Sequence, residues 1–367
     1  MKTTRSIPET DGPPTARGKG RGAAQNPVSR FDPYGREAVD DGWWQDPDAL
    51  APLRTEVSEE RPRRIITPNT SPDIGFDRSI NTYRGCEHGC IYCFARPTHA
   101  YLGLSPGLDF ETQLIARPEA PQVLARELRA KRYEVAPIAI GTNTDPYQPI
   151  EKTHGIMREC LEVLSAFNHP VAIVTKGSLI ERDIDILSDM AGRGLAAVGI
   201  SVTTLDARLS RLMEPRAPAP QRRLQVIRKL SEARVPVRIM ASPMVPALTD
   251  PELEAILTAG RDAGARHASW IMLRLPREVS PLVQDWLATH YPDRAERIMA
   301  RLRDMHGGKE YDAGWHKRMR GEGPDAEMVA QRFDLAVKRL GLTRAGVPLR
   351  CDLFRPPSEK GDQLSLF

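Results

Sequence analysis

Three cysteines within eight residues are the first candidates for chemistry in this chain of 367 residues. Cys86, Cys90 and Cys93 have the spacing C-x3-C-x2-C, and they are three of the five cysteines in the sequence. A turn this tight brings three thiolates to one point, which suits a metal centre and leaves one coordination position for another ligand. The spacing therefore predicts a catalytic iron–sulfur cluster.

Three other interpretations of these cysteines stay open. A disulfide is disfavoured because three close cysteines cannot pair evenly and nothing indicates an oxidising compartment. Structural zinc could take His88 or His99 as its fourth ligand, although the usual zinc spacing brings a second Cys or His pair further along the chain. Chance clustering is the third. The aromatic Tyr92, directly before Cys93, favours the iron–sulfur interpretation.

The pattern C-x3-C-x-aromatic-C resembles the signature of the radical SAM superfamily. This resemblance implies that Cys86, Cys90 and Cys93 bind a [4Fe–4S] cluster, whose fourth iron is chelated by the amino and carboxylate groups of S-adenosylmethionine. It also implies that an electron from an external donor, such as flavodoxin or ferredoxin, cleaves this sulfonium to a 5′-deoxyadenosyl radical, so that the cofactor carries the difficult chemistry. Tyr92 is then expected near the adenine.

The composition bounds the class of protein that these cysteines belong to. With 40% apolar and 27% charged residues and no apolar run near 18 residues, the sequence predicts a globular protein without a membrane span. The first residues are followed by polar, Pro-rich sequence, so we expect no secretory signal and a location in the reducing cytoplasm. The formal net charge of +4 does not by itself indicate a nucleic-acid-binding protein.

Short β-branched runs alternate with helical periods from about Ile65 onward, which predicts βα units and a parallel sheet. The predicted strands cover 79–83, 138–140, 171–175, 197–202, 237–240 and 269–273. Six such units would curl into a partial (β/α)6 barrel of the TIM type, which is also the fold that the radical SAM resemblance implies. The predicted domains are a disordered basic and Pro-rich tail (1–62), the barrel (63–276), a helical C-terminal extension (277–353) and a linker with a terminal peptide (354–367).

Barrel active sites lie at the C-terminal ends of the strands, so the residues after each strand are candidates for the pocket. The loop 141–151 follows the second strand, and its side-chain oxygens could hold an ammonium group, although Asn-Thr-Asp-Pro is also ordinary turn chemistry. Lys176 follows the third strand, where an ammonium group suits a carboxylate.

These loops, with Arg84-Gly85-Cys86 and Thr175-Lys176-Gly177, are similar to the branch of radical SAM proteins that includes spore photoproduct lyase, which repairs a thymine dimer in DNA. The resemblance covers about 63–340. It implies that four residues contact the methionine part of the cofactor: Thr144, Asp145, Lys176 and Ser201.

The source of a returning hydrogen atom is where the sequence departs from that branch. Thr142 stands where spore photoproduct lyase places a cysteine that returns a hydrogen atom, and a hydroxyl is a poor hydrogen-atom donor. Cys160, within a predicted helix, is expected to be a buried core thiol. Cys351, between Arg350 and Asp352, is a candidate hydrogen donor or else a surface residue.

A basic stretch near the end of the chain bears on the partner. Between 294 and 320 there are eight basic and four acidic residues, with Tyr311, Trp315 and His316 among them. Basic residues mixed with aromatics suit a phosphate backbone and an unstacked base, so DNA is the predicted substrate. A solvated helical face is the alternative.

The terminal peptide Gln363–Phe367 suggests a second partner. It resembles the Q-L-x-L-F peptide that bacterial polymerases and repair proteins insert into the β sliding clamp. Leu and Phe anchors after a flexible linker fit peptide capture in an apolar groove. A tail that folds back on its own domain is the alternative.

Overall fold

A computed structural model of the chain describes residues 20–31 and 53–358. Strands and helices alternate through most of the second range. The strands within these ranges are β1 (Glu56–Glu59), β2 (Thr67–Pro68), β3 (Arg78–Ile80), β4 (Tyr83–Arg84), β5 (Gln113–Ala116), β6 (Ile138–Ile140), β7 (Val171–Thr175), β8 (Ala196–Ser201), β9 (Val237–Met244) and β10 (His267–Met272). The helices are α1 (Asp109–Thr112), α2 (Ala120–Leu128), α3 (Glu151–His154), α4 (Ile156–Ala166), α5 (Ile184–Gly192), α6 (Ala207–Met213), α7 (Pro220–Glu232), α8 (Leu253–Asp262), α9 (Val279–His290), α10 (Pro292–Met305) and α11 (Pro324–Leu340).

The main sheet contains seven strands in the order β10-β9-β8-β7-β6-β3-β2. Six of them are parallel and follow one another in chain order, namely β3, β6, β7, β8, β9 and β10, with helices in the connections. The seventh strand, β2, is antiparallel and lies at the edge of the sheet. The central strands are buried on both faces, as β6 shows with three buried residues. This arrangement confirms the predicted α/β fold, a partial (β/α)6 barrel followed by a helical extension (α9 to α11).

Local sequence signals fix where several helices begin and end. A proline lies in the first turn of α2, α7, α10 and α11, where the missing N–H has no intrahelical partner anyway. The last of these, α11, ends at Leu340. The next residue, Gly341, caps the helix, and its φ of 66° places it in the left-handed region. The apolar faces of α2, α4, α7 and α8 pack on the strands in one large core.

The gap between the first and last strands of the barrel is bridged by an ion pair. Arg318, in the segment after α10, donates from Nε and Nη2 to the two carboxylate oxygens of Asp73, at 2.8 and 2.5 Å. The same segment accepts a hydrogen bond from β10, between the amide of Met272 and the carbonyl of Met319, at 2.9 Å. The helical extension therefore connects the β10 side of the barrel to the loop between β2 and β3.

The predicted strand 79–83 is wrong in one respect, because the structure divides it. β3 ends at Ile80 in the main sheet, and β4 belongs to a second sheet of order β1-β5-β4, where Arg84 pairs with Ile115. The chain leaves the barrel between the two strands because the β4 backbone takes its partners from β5. This step carries the cysteines out to the rim of the barrel.

The prediction of a disordered tail over 1–62 needs correction for the part of it that the structure describes. Residues 20–31 lie against the folded body, and β1 pairs in parallel with β5. The composition of this stretch could not indicate order, because its partners are supplied by the rest of the protein. Among the described residues, no helix is long and apolar enough to cross a membrane.

Candidate active site at the cysteine loop

Residues 85–94, which we call the cysteine loop, follow β4 at the C-terminal ends of the barrel strands. Cys86 and Cys90 are buried and Cys93 is half-buried. The loop turns through backbone hydrogen bonds from Gly89 to Cys86 and from Cys93 to Cys90, at 3.3 and 3.1 Å. Gly85 precedes it with a φ of 75°, and a side chain there would lie 2.8 Å from the carbonyl oxygen of Phe110. Only glycine fits at this entrance to the loop.

The environment of the thiols in the cysteine loop suits metal-bound cysteines better than free thiols. Burial raises the pKa of Cys86, and the nearby Asp145 raises it further. Burial also raises the pKa of Cys90, to about 12, although Lys176 opposes the change. Such thiols stay protonated at neutral pH unless a metal ion displaces the proton. Three cysteines on one short loop are the donor set that iron–sulfur clusters use.

The geometry differs from that of a site for a single ion. In the part of the chain that the structure describes, no three His, Cys, Asp or Glu side chains are grouped so that they could hold one metal ion. A cluster of several irons distributes its cysteine ligands over different iron atoms rather than one point. Three cysteines on one short loop fit a cysteine-ligated cluster by their donor type, and the zinc alternative stays open.

A fully buried ion pair fixes the backbone of the cysteine loop. Arg96 and Glu111 are both 0% exposed, and an Nη2 atom of Arg96 donates to Oε1 of Glu111 at 2.5 Å. The same guanidinium donates to four carbonyl oxygens at 2.9–3.2 Å, those of Gly89, Cys90, Pro106 and Gly107. Besides its bond to Glu111, Arg96 thus fixes the backbone at four carbonyls, two of which belong to the cysteine loop.

The described N-terminal segment packs on the other side of the same pair. The amides of Gly22 and Ala23 donate to the Glu111 carboxylate at 2.8 and 2.9 Å. A Cβ atom on Gly22 would lie 1.8 Å from the carbonyl oxygen of Gly89, so the two backbones touch directly. Residues 20–31 therefore help to cover the cysteine loop.

A second buried network lies beside Cys90, and sequence reasoning missed its central residues. Arg223 and Glu214 form an ion pair with 1% and 0% side-chain exposure. Glu214 also accepts hydrogen bonds from the hydroxyls of Tyr92 and, at 2.8 Å, Thr203. Burial alone raises the pKa of Glu214, but the charges of Arg223 and Lys176 lower it to about 2. The carboxylate is therefore a fixed negative charge at the site.

Lys176 lies where this network meets the cysteine loop. Its Nζ atom is 4.0 Å from Oε1 of Glu214 and 5.6 Å from the centre of the Tyr92 ring. Burial alone lowers the pKa of Lys176, but the nearby Cys90 and Glu214 raise it above its ordinary value. The ammonium group therefore stays charged next to Cys90 and can bind an anionic group.

Asp145, predicted to contact the cofactor, joins three loops in the structure. Its carboxylate accepts from the Thr175 hydroxyl at 2.5 Å and from the amides of Lys176 and Tyr147 at 2.8 and 2.9 Å. Nδ1 of His88, in the cysteine loop, lies 3.3 Å from Oδ2. Burial alone raises the pKa of Asp145, but His88 and these hydrogen bonds lower it below its ordinary value. This carboxylate positions the cysteine loop against the end of β7.

Thr144 and Ser201, the other predicted cofactor contacts, are also held by backbone atoms. The Thr144 hydroxyl donates to the carbonyl of Gly85 at 2.6 Å. The Ser201 hydroxyl donates to the carbonyl of Ser242 at 2.8 Å, and the Ser201 carbonyl accepts from Arg223 at 3.1 Å. The structure thus brings Tyr92, Thr144, Asp145, Lys176 and Ser201 to one region around the cysteine loop, and their contacts with a cofactor stay predictions.

The two cysteines outside the loop have different surroundings. Cys160 is fully buried in the main core, as predicted. Cys351 lies at the opposite end of the barrel, because its neighbours Arg350 and Arg355 bond to the carbonyls of Gly194 and Phe167, which precede β8 and β7. The structure does not bring Cys351 to the cysteine loop, so its predicted role as hydrogen donor has no geometric support.

Comparisons with known proteins agree with this geometry. The family model for the radical SAM superfamily matches residues 80–259. An uncharacterized protein of Mycobacterium tuberculosis is 35% identical over 241 residues, which is 65% of this chain and 69% of that one. An uncharacterized protein of Methanocaldococcus jannaschii is 24% identical over 200 residues, 54% of this chain and 71% of that one.

Solved structures of spore photoproduct lyase share the fold. One, complexed with dinucleoside spore photoproduct, has a TM-score of 0.56 at 14% identity. The alignment covers 78% of this chain and 80% of the chain of spore photoproduct lyase. A variant with bound AdoMet and dinucleoside spore photoproduct has a TM-score of 0.57 with the same identity and coverage.

Proposed function

This chain belongs to the radical SAM superfamily, and on that premise we propose that its substrate is DNA, in which it repairs or modifies a damaged base. Enzymes of this superfamily use a [4Fe–4S] cluster and S-adenosylmethionine, and this chain is an enzyme of that class. The observation that carries the choice of DNA is the fold shared with spore photoproduct lyase over 78% of the chain.

Cys86, Cys90 and Cys93 would hold the cluster, which with S-adenosylmethionine supplies a 5′-deoxyadenosyl radical that abstracts a hydrogen atom. The protein's own residues orient the reactants and exclude water. Arg96 fixes the backbone of the cysteine loop, and Asp145 ties that loop to the end of β7. Each ligand is thereby held by contacts that do not depend on the substrate.

Lys176 is the residue best placed to orient the cofactor. Its ammonium group stays charged beside Cys90, on a side chain that is 18% exposed, and Tyr92 lies on one side of it. The carboxylate of the methionine part of S-adenosylmethionine is the anion we propose it binds. The ion pair of Glu214 and Arg223 then keeps the ammonium group in place. The charges of the pair balance each other within the buried network, and Oε1 of Glu214 lies 4.0 Å from Nζ of Lys176.

Lys176→Gln should weaken the binding of S-adenosylmethionine by roughly 10- to 100-fold, the loss expected when a hydrogen bond to a charged group is removed. Iron and sulfide content should not change, because Lys176 is not a predicted ligand. Equilibrium binding of S-adenosylmethionine to the reconstituted protein measures the effect. Lys338→Gln, an exposed lysine near the end of α11, is the matched control. Equal affinity in both variants would remove Lys176 from the cofactor site.

An exposed aromatic residue ends the cysteine loop and supports a flat substrate such as an unstacked base. Phe94 directly follows Cys93 and is 43% exposed, and the guanidinium carbon of Arg274 lies 4.6 Å from its ring centre. Arginine and aromatic planes together stack on bases that have left the duplex.

The basic stretch 294–320 contributes less charge than its composition suggests. Four of its cations form ion pairs with carboxylates in the structure, namely Arg301, Arg303, Lys317 and Arg318. Trp315 is 59% exposed. The part of this stretch that supports DNA binding is therefore the exposed tryptophan with the cations that have no carboxylate partner among the described residues, such as Arg294 and Arg297.

Turnover with damaged DNA tests the proposal. Reduced, reconstituted protein is incubated with S-adenosylmethionine and ultraviolet-irradiated or undamaged duplex, and 5′-deoxyadenosine and the modified bases are quantified. We expect irradiated DNA to raise 5′-deoxyadenosine formation. The amount of lesion lost from that DNA should be proportional to the amount of 5′-deoxyadenosine formed. The DNA proposal would be overturned if the protein showed no salt-dependent affinity for DNA and if RNA or a peptide stimulated 5′-deoxyadenosine formation instead. The substrate would then be RNA or a peptide.

The terminal peptide Gln363–Phe367 lies outside the described residues, and its binding to the β sliding clamp remains a proposal. Deleting these five residues should reduce affinity for the clamp by at least about 100-fold, since a short apolar peptide carries its anchors in a few side chains. Surface plasmon resonance against immobilised clamp measures this, with a variant of scrambled peptide order as control. Unchanged binding after deletion would show that the peptide is not the cause.

A further inference from the structure

A cleft of about 600 Å³ opens beside the cysteine loop. Its walls come from the loops after β6, β7 and β8, and His88 of the cysteine loop lies among the lining residues. The cations of the lining are Lys152, Arg211, Arg216 and Arg222, and none of the carboxylates that the structure describes lines the cleft. The cleft is therefore a strongly positive concavity next to the predicted cluster ligands.

Two of these cations are free to bind a partner. Arg216 contacts Glu87 at 3.0 Å and Arg222 contacts Glu181 at 2.5 Å. Lys152 and Arg211, which are both exposed, form no ion pair with any residue that the structure describes. At least two positive charges in the cleft thus lack an internal counter-charge, and carboxylates of another molecule would supply one.

The wall of the cleft is bonded directly to the cysteine loop. The amide of Arg216 donates to the carbonyl of His88 at 3.3 Å, and the Arg216 side chain holds Glu87. The amide of Ile91 donates to the carbonyl of Met213 at 3.0 Å. An occupant of the cleft would therefore contact the cysteine loop at His88, which lies between Cys86 and Cys90 in the sequence.

The lining does not resemble a site for nucleic-acid bases. Its one aromatic side chain besides His88 is Tyr147, which is 2% exposed and cannot stack on a ligand. The exposed aromatic residue near the cysteines is Phe94, which is absent from this lining. The chemistry of the cleft is thus charge without stacking, which suits the carboxylates of a protein surface better than a single strand of DNA.

We propose that this cleft is the docking site for an acidic electron-transfer protein that reduces the cluster. The inference rests on the radical SAM chemistry of the proposed function and does not depend on DNA as substrate. For each S-adenosylmethionine cleaved, the partner loses one electron, and that electron breaks the C5′–S bond to give methionine and the 5′-deoxyadenosyl radical. Electrostatic attraction to Lys152 and Arg211 would raise the rate at which the partner associates.

The experiment compares two reductants on one enzyme. Lys152→Gln/Arg211→Gln is assayed for 5′-deoxyadenosine formation with reduced flavodoxin as the acidic protein donor and with dithionite as the small chemical donor. The control is Lys338→Gln/Arg339→Gln, which removes one exposed lysine and one exposed arginine near the end of α11.

We expect the cleft variant to need roughly tenfold more flavodoxin for half-maximal rate, with an unchanged rate in dithionite. The control should match the unsubstituted protein, and the difference should disappear at 1 M salt, where the Debye length is about 3 Å. An unchanged flavodoxin requirement in the cleft variant would overturn the proposal. So would equal losses with both reductants, which would place these cations in the cofactor site.

Loss of DNA affinity with an unchanged flavodoxin requirement would assign the cleft to a phosphate backbone and overturn the proposal as well. Failure of the unsubstituted protein to form 5′-deoxyadenosine with dithionite is a different result. It would refute the radical chemistry on which the inference rests. The dithionite arm therefore separates failure of the docking site from failure of the proposed function.

Discussion

Replacing Cys90 by alanine is expected to abolish cluster assembly and, with it, all cleavage of S-adenosylmethionine. The thiol is buried in the middle of the cysteine loop, and its backbone is fixed by Arg96. Loss of a metal ligand should cost more than the about 10- to 100-fold loss of metal affinity that changes in outer-shell partners cause. Iron and sulfide analysis with the visible absorption of the anaerobically reconstituted protein measures the first effect, and 5′-deoxyadenosine formation measures the second.

Cys351→Ala is the matched control, since it removes a half-buried thiol at the opposite end of the barrel. We expect it to keep both cluster and turnover. A Cys90→Ala protein that retains a full cluster would contradict the assignment of the ligands. A Cys351→Ala protein that cleaves the cofactor but forms no final product would restore the role of Cys351 as hydrogen donor.

Replacing Arg96 by alanine should lower the free energy of unfolding by about 3–5 kcal/mol, the range found when one partner of a buried ion pair is removed. The change leaves the fully buried Glu111 carboxylate without its charged partner and frees four carbonyl oxygens. Because two of these carbonyls belong to the cysteine loop, cluster content should fall together with stability.

Urea unfolding of the anaerobic protein, with iron content measured on the same samples, tests this expectation. Arg344→Ala is the control, because its ion pair with Asp334 is about half exposed on both sides. That variant should lose no more than about 1 kcal/mol, as is usual for pairs in solvent. Similar losses in the two variants would mean that the Arg96 pair does not support the loop.

The sequence was sufficient for the barrel because each βα unit repeats the same local signals. Short β-branched runs such as Val171–Thr175 alternate with helices that have one apolar face, and both patterns are visible without any tertiary information. The cysteine spacing was visible for a similar reason, since all three predicted ligands lie on one short loop.

The buried charges beside the cysteines could not be found in the same way. Glu214 and Arg223 lie in a stretch rich in ordinary charged residues, and only the fold shows that this pair is enclosed while its neighbours are exposed. The observed partners of Asp145 could not be predicted for a related reason. Its contact with a cofactor stays a prediction, and its observed partners lie at the end of β7 and in the cysteine loop, which sequence alone does not bring together.

The N-terminal segment illustrates a different limit. Gly22 and Ala23 belong to a Pro- and Gly-rich stretch that cannot form a core of its own. They are ordered because Glu111 accepts both of their amides, and Glu111 in turn holds Arg96. Order that depends on a distant partner leaves little trace in local composition.

Formation of 5′-deoxyadenosine is the measurement that tests the central claim most directly. The unsubstituted protein, reconstituted with iron and sulfide without oxygen, is mixed with S-adenosylmethionine and dithionite, and the products are separated by liquid chromatography and mass spectrometry. The account predicts 5′-deoxyadenosine and methionine in equal amounts, formed only when the reductant is present and absent from Cys90→Ala. A protein that assembles a full cluster and is reduced, yet forms no 5′-deoxyadenosine, would contradict it.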